Sequence, residues 1–240
     1  MPQLHSWALA SLLLTGSLHA ADWQEARVTY LKGDNYRIGE PSRQVLTFEH
    51  AMARDWGDSF FFLDHMKMRD GSHSNYAEWQ PRLSFGKLAG WHSPTPLVKD
   101  LLLATQVEMS SQRSNLLYGV GLDLAVPGMK FTQLNLYRRD NEQIADNWQA
   151  TLVWGLPFTW GGQQFLYDGF VDWASGSTDQ HANVNVTSQF KWRLSELWQG
   201  KHAVWLGVEY VWWRHKFGIA DSAALPTNES NVNLLLKVDF

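Results

Sequence analysis

The chain has 240 residues, a formal net charge of −4, no cysteine and 14 tryptophans. The lack of cysteine excludes a disulfide scaffold, a thiolate metal site and a cysteine nucleophile, and the lack of a long basic run argues against nucleic acid as a partner. A mean hydropathy of −0.31 is too polar for a bundle of membrane helices, whereas so much tryptophan fits either a soluble aromatic core or the aromatic girdles of a membrane barrel.

The first 21 residues predict export from the cytoplasm. Residues 7–14 form a short apolar run, and two small residues, Ala20 and Ala21, precede Asp22. This order is typical of a secretory signal peptide. The run is too short to span a bilayer, which needs roughly 20 apolar residues. We therefore expect residues 1–20 to be a signal peptide, cleaved after Ala20 or Ala21, and residues 21–240 to be one domain.

Apolar and polar residues alternate along most of the remaining chain. Between residues 116 and 126, large apolar side chains occupy every even position, and most odd positions are small or polar, as at Gly119 and Asp123. Alternation with a period of two indicates a strand with one apolar and one polar face. The same pattern recurs in segments 183–194, 204–212 and 231–240.

The length of these segments favours a membrane barrel over a soluble sandwich. Sandwich strands are about 5–6 residues long, whereas these run roughly 10–11, the length that a tilted strand needs to cross a bilayer. Their polar faces carry charges in mid-strand, such as Asp123, Lys191 and Glu209, which a wet lumen would hydrate. We predict an all-β protein, a single antiparallel transmembrane barrel of about twelve strands. The predicted strands are 23–32, 44–53, 59–67, 76–86, 100–110, 115–126, 130–138, 148–158, 164–174, 183–194, 202–213 and 231–240.

An even number of strands brings both chain termini to the same side of the membrane, which we predict to be the periplasm of a Gram-negative bacterium. Connections after even strands are mostly short, although segment 87–99 is an exception. Connections after odd strands are longer and polar, as expected for the exterior. These are 33–43, 68–75, 139–147, 175–182 and 214–230.

The chain ends on Phe240, the last apolar position of an alternating series. The assembly machinery of outer-membrane barrels reads a final strand that ends in an aromatic residue, so Phe240 is the predicted assembly signal. The last strand should then close the barrel against the first, near Val28 and Tyr30.

Residues on the polar face of each strand should line the lumen. They mix both charges with rings and amides, which suits a neutral, flat, polar solute, since rings stack on it while charged groups bind its hydroxyls. The alternative is that these charges only pair with each other and hold the barrel rigid. The candidates are Glu49, Phe62, Asp64, Glu78, Arg82, Asp123, Asp168, Phe170, Asp172, Lys191, Arg193, Trp205 and Glu209.

No known catalytic motif or metal-site pattern is present, so we expect neither an enzyme nor a cofactor. Two alternatives remain open. An outer-membrane enzyme acting on lipid would use a Ser or His at the lipid interface, and His65 and His73 are the residues to replace. A receptor or structural barrel with a plugged lumen would not conduct ions.

Several segments resemble the nucleoside-specific channel-forming family of outer-membrane porins, the Tsx/OmpK group, in order and spacing over roughly residues 30 to 240. The longest reads LTFEHAMARDWGDSFFFLD, from Leu46 to Asp64. The others are the segments 78–84 (EWQPRLS), 118–123 (YGVGLD), 160–163 (WGGQ) and 167–170 (YDGF).

The resemblance implies a monomeric twelve-stranded barrel with a narrow lumen, passive selective diffusion of nucleosides, and outer loops that serve as phage receptors. In the family, an Arg-Phe-Gly element near the first outer loop contributes a ring to the binding wall. Here the nearest match is Arg37-Ile38-Gly39. Either Tyr36, beside it, supplies the ring, with Arg37 as the second candidate residue, or the substrate differs from that of the family.

Overall fold

A computed structural model describes residues 22–198 and 201–240, except the side chain of Trp198; the predicted signal peptide lies outside these residues. Twelve strands make up about two thirds of the described chain. They are β1 (Trp23–Gly33), β2 (Arg43–Arg54), β3 (Gly57–Met68), β4 (His73–Ser84), β5 (Val98–Ser110), β6 (Ser114–Leu124), β7 (Phe131–Asn141), β8 (Asn147–Trp160), β9 (Gln163–Ala174), β10 (Asn183–Arg193), β11 (Ala203–Arg214) and β12 (Glu229–Asp239).

The strands form one closed antiparallel barrel in which each strand pairs with its neighbours in the chain, and β1 pairs with β12. Val28 lies opposite Val238, and Tyr30 lies opposite Leu236. The predicted fold class, the strand count and the closure near Val28 and Tyr30 are therefore confirmed. Closure leaves no open edge, which a sheet in lipid cannot tolerate.

The barrel is apolar outside and polar inside. In β12, Val232 and Leu234 are 59% and 57% exposed, whereas the intervening Asn233 is 0% exposed. The same inversion runs round the barrel, so that large apolar side chains cover the exterior and amides, hydroxyls and charges fill the interior. In water such an apolar surface would cause aggregation, but in a bilayer it is the surface that meets lipid. Among the described residues, no helix is long and apolar enough to cross a membrane.

The barrel has two rims, which we call the termini end and the loop end. The termini end carries Trp23, Phe240 and the connections after even strands. One of these is the two-residue hairpin of Gly161 and Gly162, whose φ angles of 57° and 77° are those that a tight turn requires. The loop end carries the connections after odd strands, which include 34–42 and 215–228.

The predicted sorting of the connections by length holds only in part. At the loop end, residues 69–72 and 111–113 make short turns. At the termini end, 85–97 and 194–202 are long because each contains a short helix: α1 (Phe85–Ala89) in the first and a 3₁₀ helix (Leu194–Trp198) in the second.

Two of the predicted strand ends are wrong because these two helices begin there. The strand predicted to end at residue 86 ends at Ser84, where the Ser84 hydroxyl accepts a hydrogen bond of 2.9 Å from the Lys87 amide and caps α1. The strand predicted to end at residue 194 ends at Arg193, where the 3₁₀ helix begins. Both ends are set by a helix that begins there, which alternation does not reveal.

Phe240 lies just beyond β12. Its amide donates to the Ala26 carbonyl at 2.9 Å, and its ring, 63% exposed, lies 5.3 Å from the His202 ring, between centroids. We predict that Phe240→Ser lowers the amount of folded barrel in the outer membrane several-fold. The unfolding free energy of the refolded barrel should change by less than about 1 kcal/mol, because an exposed terminal side chain contributes little to stability.

Heat-shifted mobility of membrane fractions and urea unfolding of the refolded protein measure the two effects separately. Val238→Ser is the matched control, since Val238 is also on the apolar series of β12 but is not terminal. Equal loss of assembly in both variants would contradict a role for Phe240 as the assembly signal.

Candidate functional site: the barrel lumen and its mouth

The strand residues predicted to line the lumen all occupy interior-facing positions. The strand register shows this directly: Glu49 lies opposite Phe62, and Phe62 lies opposite Glu78, so that all three share one face of the sheet. Their role in binding a solute remains a prediction. The interior set comprises Glu49, Phe62, Asp64, Glu78, Arg82, Asp123, Asp168, Phe170, Asp172, Lys191, Arg193, Trp205 and Glu209.

Arg82 is the centre of an ion-pair cluster near the termini end. Its Nε and Nη2 donate to the two oxygens of Asp58 at 2.8 and 2.5 Å, and its Nη2 lies 3.0 Å from Asp123 Oδ1. Asp123 belongs to β6, two strands from β4. Arg82 reaches Asp123 across β5, on which Ala104 lies opposite Arg82 and Asp100 lies opposite Asp123. The guanidinium thus ties three strands together.

Three further cations inside the barrel form ion pairs with carboxylates on other strands. Lys191 Nζ donates to Asp168 Oδ2 at 2.6 Å, and Lys237 forms an ion pair with Glu49 that reaches across β1. Arg139 binds both oxygens of Glu108 at 2.7 Å. These pairs support, for many of the interior charges, the alternative in which they brace the barrel.

Four interior carboxylates are bound by neutral groups instead. Asp64 accepts from Thr47 at 2.6 Å. Glu78 accepts from Tyr76 at 2.6 Å and from two glutamine amides, Asp172 from Thr151 at 2.6 Å, and Glu209 from Gln189 at 2.8 Å. Within residues 22–198 and 201–240, none of the four has an ion pair with a lysine, arginine or histidine. The lumen therefore holds four carboxyl groups without a cationic partner among the described residues. These four are Asp64, Glu78, Asp172 and Glu209.

Several lumen residues were missed by the sequence interpretation. Glu108 and Lys237 lie within predicted strands, and consistent use of their alternation would have included them. Asp58 and Arg139 lay just outside the predicted strands 59–67 and 130–138, so the error in the strand ends hid them. Arg27 was also omitted, although it faces the lumen opposite Glu49.

Aromatic rings and apolar side chains narrow the lumen. The rings of Phe62 and Tyr76 lie 5.9 Å apart between centroids, and Phe60 lies 6.2 Å from Phe62. Tyr137 packs with Ala104 and Leu117, while Leu235 packs with Leu31 and Val45, and both clusters are buried inside the barrel. One wall, on β3 and β4, therefore presents rings directly beside the carboxylates of Asp64 and Glu78.

The mouth at the loop end is narrowed by residues 34–42, which fold inward against β12. The Asn35 amide donates to Asn231 Oδ1 at 3.0 Å, and the Arg37 amide donates to Glu229 Oε2 at 2.6 Å. Ile38 has a φ of 62°, a left-handed conformation that is strained for a β-branched residue. Its carbonyl accepts a hydrogen bond from the Arg43 guanidinium, which holds the turn.

We call the group of side chains at this mouth the mouth cluster: Tyr36, Arg43, Trp213, Lys216, Phe217 and Glu229. Arg43 lies over the Tyr36 ring at 4.8 Å, and Lys216 Nζ lies 5.8 Å from the same ring. Lys216 also donates to Glu229 Oε2 at 2.6 Å. Burial raises the pKa of Tyr36 and lowers the pKa of Lys216. Tyr36 thus supplies a ring at the mouth, as the resemblance implies, whereas Arg37 makes its contact through its backbone.

A closed antiparallel barrel with an apolar exterior and a polar lumen defines the class of transmembrane β-barrels. Two solved structures share this fold. A KdgM porin aligns with a TM-score of 0.53 and 8% identity over 90% of this chain and 99% of its own. A KdgM porin in complex with disordered oligogalacturonate aligns with a TM-score of 0.51 and 9% identity over 90% and 98%.

The chain belongs to the family of the nucleoside-specific channel-forming protein Tsx, whose model matches residues 19–240. A comparison with curated proteins gave no match. Fold and family together make this protein an outer-membrane channel for small solutes, which confirms the predicted family and location.

Proposed function

We propose that this channel passes nucleosides by passive, selective diffusion. The observation that carries the proposal is the β3–β4 wall, where the rings of Phe62 and Tyr76 adjoin the carboxylates of Asp64 and Glu78. A nucleoside joins a flat base to a sugar with hydroxyl groups. Rings stack on bases, and carboxylates accept hydrogen bonds from hydroxyls, so one wall offers both kinds of contact.

The mouth cluster supplies the first contact in this proposal. The Tyr36 ring lies near two cations, Arg43 and Lys216, at the rim where a solute from outside would enter. A base that stacks there is oriented before it reaches the wall of β3 and β4 inside the lumen. Because every contact is reversible and no step is driven, transport follows the concentration gradient.

Uptake by liposomes that contain the purified barrel tests the specificity. Nucleosides should enter faster than sugars of similar size, because sugars lack the flat base that stacks on the rings. Liposomes without protein set the background rate. Equal rates for nucleosides and for size-matched sugars would overturn nucleoside specificity, while leaving a general channel.

The surplus of lumen carboxylates predicts a preference for cations over anions. In a potassium chloride gradient across a planar bilayer, the reversal potential should have the sign of cation selectivity. Asp64→Asn and Glu209→Gln each remove one charge that has no cationic partner, and each should reduce that potential. Asp34→Asn, at the exposed loop end, is the control and should leave it unchanged. An anion-selective wild-type channel would contradict this prediction.

We further propose that the termini end faces the periplasm and the loop end faces the exterior. In this orientation β12 and Phe240 are presented to the assembly machinery, and the outer loops are open to phage. We also propose that residues 1–20 are removed on export, and that the barrel works as a monomer in lipid without a cofactor or an enzymatic activity. Protease treatment of whole cells, which would cleave only the exposed loops, tests the orientation.

A lipid-acting enzyme is the less favoured alternative. The Ser72 hydroxyl donates to Asp70 at 2.6 Å, while His73 contacts His65, so the serine and the histidine in this turn are directed to different partners. Loss of a lipase activity on replacing both His65 and His73 by alanine would restore this alternative.

A further inference from the structure

Two histidines contact each other on the outer wall of the barrel, close to the loop end. His65 lies near the end of β3, next to the lumen-facing Asp64 and therefore on the opposite face of the sheet, and His73 is the first residue of β4. Both side chains are exposed, and their rings stack with centroids 5.2 Å apart and 24° between planes. Neither belongs to the lumen or to the mouth cluster.

The facing nitrogen atoms of this pair have the spacing of two ligands on one metal ion. His73 Nδ1 lies 3.2 Å from His65 Nε2. Two nitrogen ligands of a tetrahedral zinc ion, each at about 2.0–2.1 Å, lie about 3.3–3.4 Å apart. The separation of the two nitrogens therefore differs from that of a metal-bound pair by only about 0.1–0.2 Å.

The other nitrogen of His65 is held by an acceptor. His65 Nδ1 lies 2.9 Å from Asn75 Oδ1, and Asn75 is the residue opposite His65 on β4. Because an amide oxygen only accepts hydrogen bonds, it favours a hydrogen on Nδ1 and leaves the lone pair of Nε2 directed at His73. Histidines that bind metal ions almost always donate their second N–H to such an acceptor.

We propose that His65 Nε2 and His73 Nδ1 bind a divalent transition-metal ion of the Zn²⁺, Ni²⁺ or Cu²⁺ class, the ions that imidazole ligands suit. Water completes the coordination, since the described part of the chain contains no group of three or more His, Cys, Asp or Glu residues placed to hold a metal ion. The bound ion links β3 to β4 beside their connection, and so it stabilises this hairpin at the rim.

Titration calorimetry of the folded barrel in detergent, purified without a histidine tag, tests the site with nickel chloride or zinc chloride alone. We expect one equivalent of metal to bind. His65→Ala and His73→Ala should each abolish binding. Asn75→Ala should weaken it by about 10–100-fold, the usual effect of losing an outer-shell partner.

The matched control is His181→Ala, at a second histidine pair on the same rim. The rings of His181 and His215 lie 5.5 Å apart and edge to face, and His215 Nδ1 is directed at the Ala182 carbonyl at 3.1 Å. Among the described residues no hydrogen bond joins these two rings, unlike those of His65 and His73, so the variant should bind metal as the wild type does.

Electron paramagnetic resonance of the wild-type barrel with one equivalent of Cu²⁺ should show two nitrogen ligands, which tests the site without any variant. Heat-shifted mobility verifies that each variant is folded. If the wild type takes up no metal, or if His73→Ala binds as well as the wild type, the proposal is overturned, and the contact is a hydrogen bond between two imidazoles.

Discussion

Arg82→Met should lower the unfolding free energy of the barrel by about 3 kcal/mol, the low end of the cost of breaking a buried ion pair. The guanidinium is buried and binds Asp58 and Asp123, whose side chains are 26% and 29% exposed. Its loss leaves two carboxylates that repel each other without their shared cation. Their partial contact with lumen water is the reason for choosing the low end of the range.

Urea unfolding of the barrel in lipid vesicles, followed by tryptophan fluorescence, measures this loss. Arg82→Lys should recover only part of it, because an ammonium group cannot bind both oxygens of Asp58 as a planar fork does. Adding Asp58→Asn and Asp123→Asn to Arg82→Met should restore most of the stability, since the repulsion is then removed.

Lys32→Met is the matched control, because Lys32 pairs with Asp34 at the exposed loop end. Exposed pairs contribute about 0–1 kcal/mol. If Arg82→Met unfolds at the same urea concentration as Lys32→Met, the three-strand cluster does not stabilise the barrel.

Tyr36→Ala should weaken the block of ion current by nucleosides about tenfold. A base stacked on an aromatic ring gains about 1–3 kcal/mol, and Tyr36 supplies a ring at the mouth. Open-channel conductance should rise at the same time, because a large side chain leaves the constriction. Planar-bilayer recordings at increasing nucleoside concentration give both quantities.

Two variants separate stacking from other effects. Tyr36→Phe keeps the ring and should retain the block, whereas Tyr118→Ala removes an exposed tyrosine from the outer wall and should change neither quantity. A nucleoside block of equal strength in Tyr36→Ala and the wild type would show that bases do not stack at this mouth. The channel would then select its solute deeper in the lumen or not at all.

Much of the barrel was predictable from alternation alone. In a strand, successive side chains point to opposite faces, so once Val232 and Leu234 are assigned to lipid, Asn231 and Asn233 must face the lumen. The same reasoning correctly oriented residues as distant as Glu49 and Glu209. It required no knowledge of neighbouring strands, because the direction of a side chain in a strand depends only on its position along that strand.

The partners of those side chains were not predictable in the same way. Arg82 pairs with Asp123 across β5, and this contact depends on the register of three strands. The same holds for Lys237, which reaches Glu49 only because the barrel closes. Sequence interpretation therefore found a mixture of charges in the lumen, but not which carboxylates would be left without a cation.

At the mouth and on the outer wall, too, the sequence predicted which residues are present but not which of them are in contact. The sequence by itself determined a twelve-stranded barrel that closes β12 on β1, and its resemblance to the channel family pointed to Tyr36 as the candidate ring in the first long loop. Only the tertiary structure decided that this loop folds inward onto Glu229 and that His65 meets His73. The reason is physical: alternation is a local property of one strand, whereas contacts between strands and loops depend on register and on loop conformation.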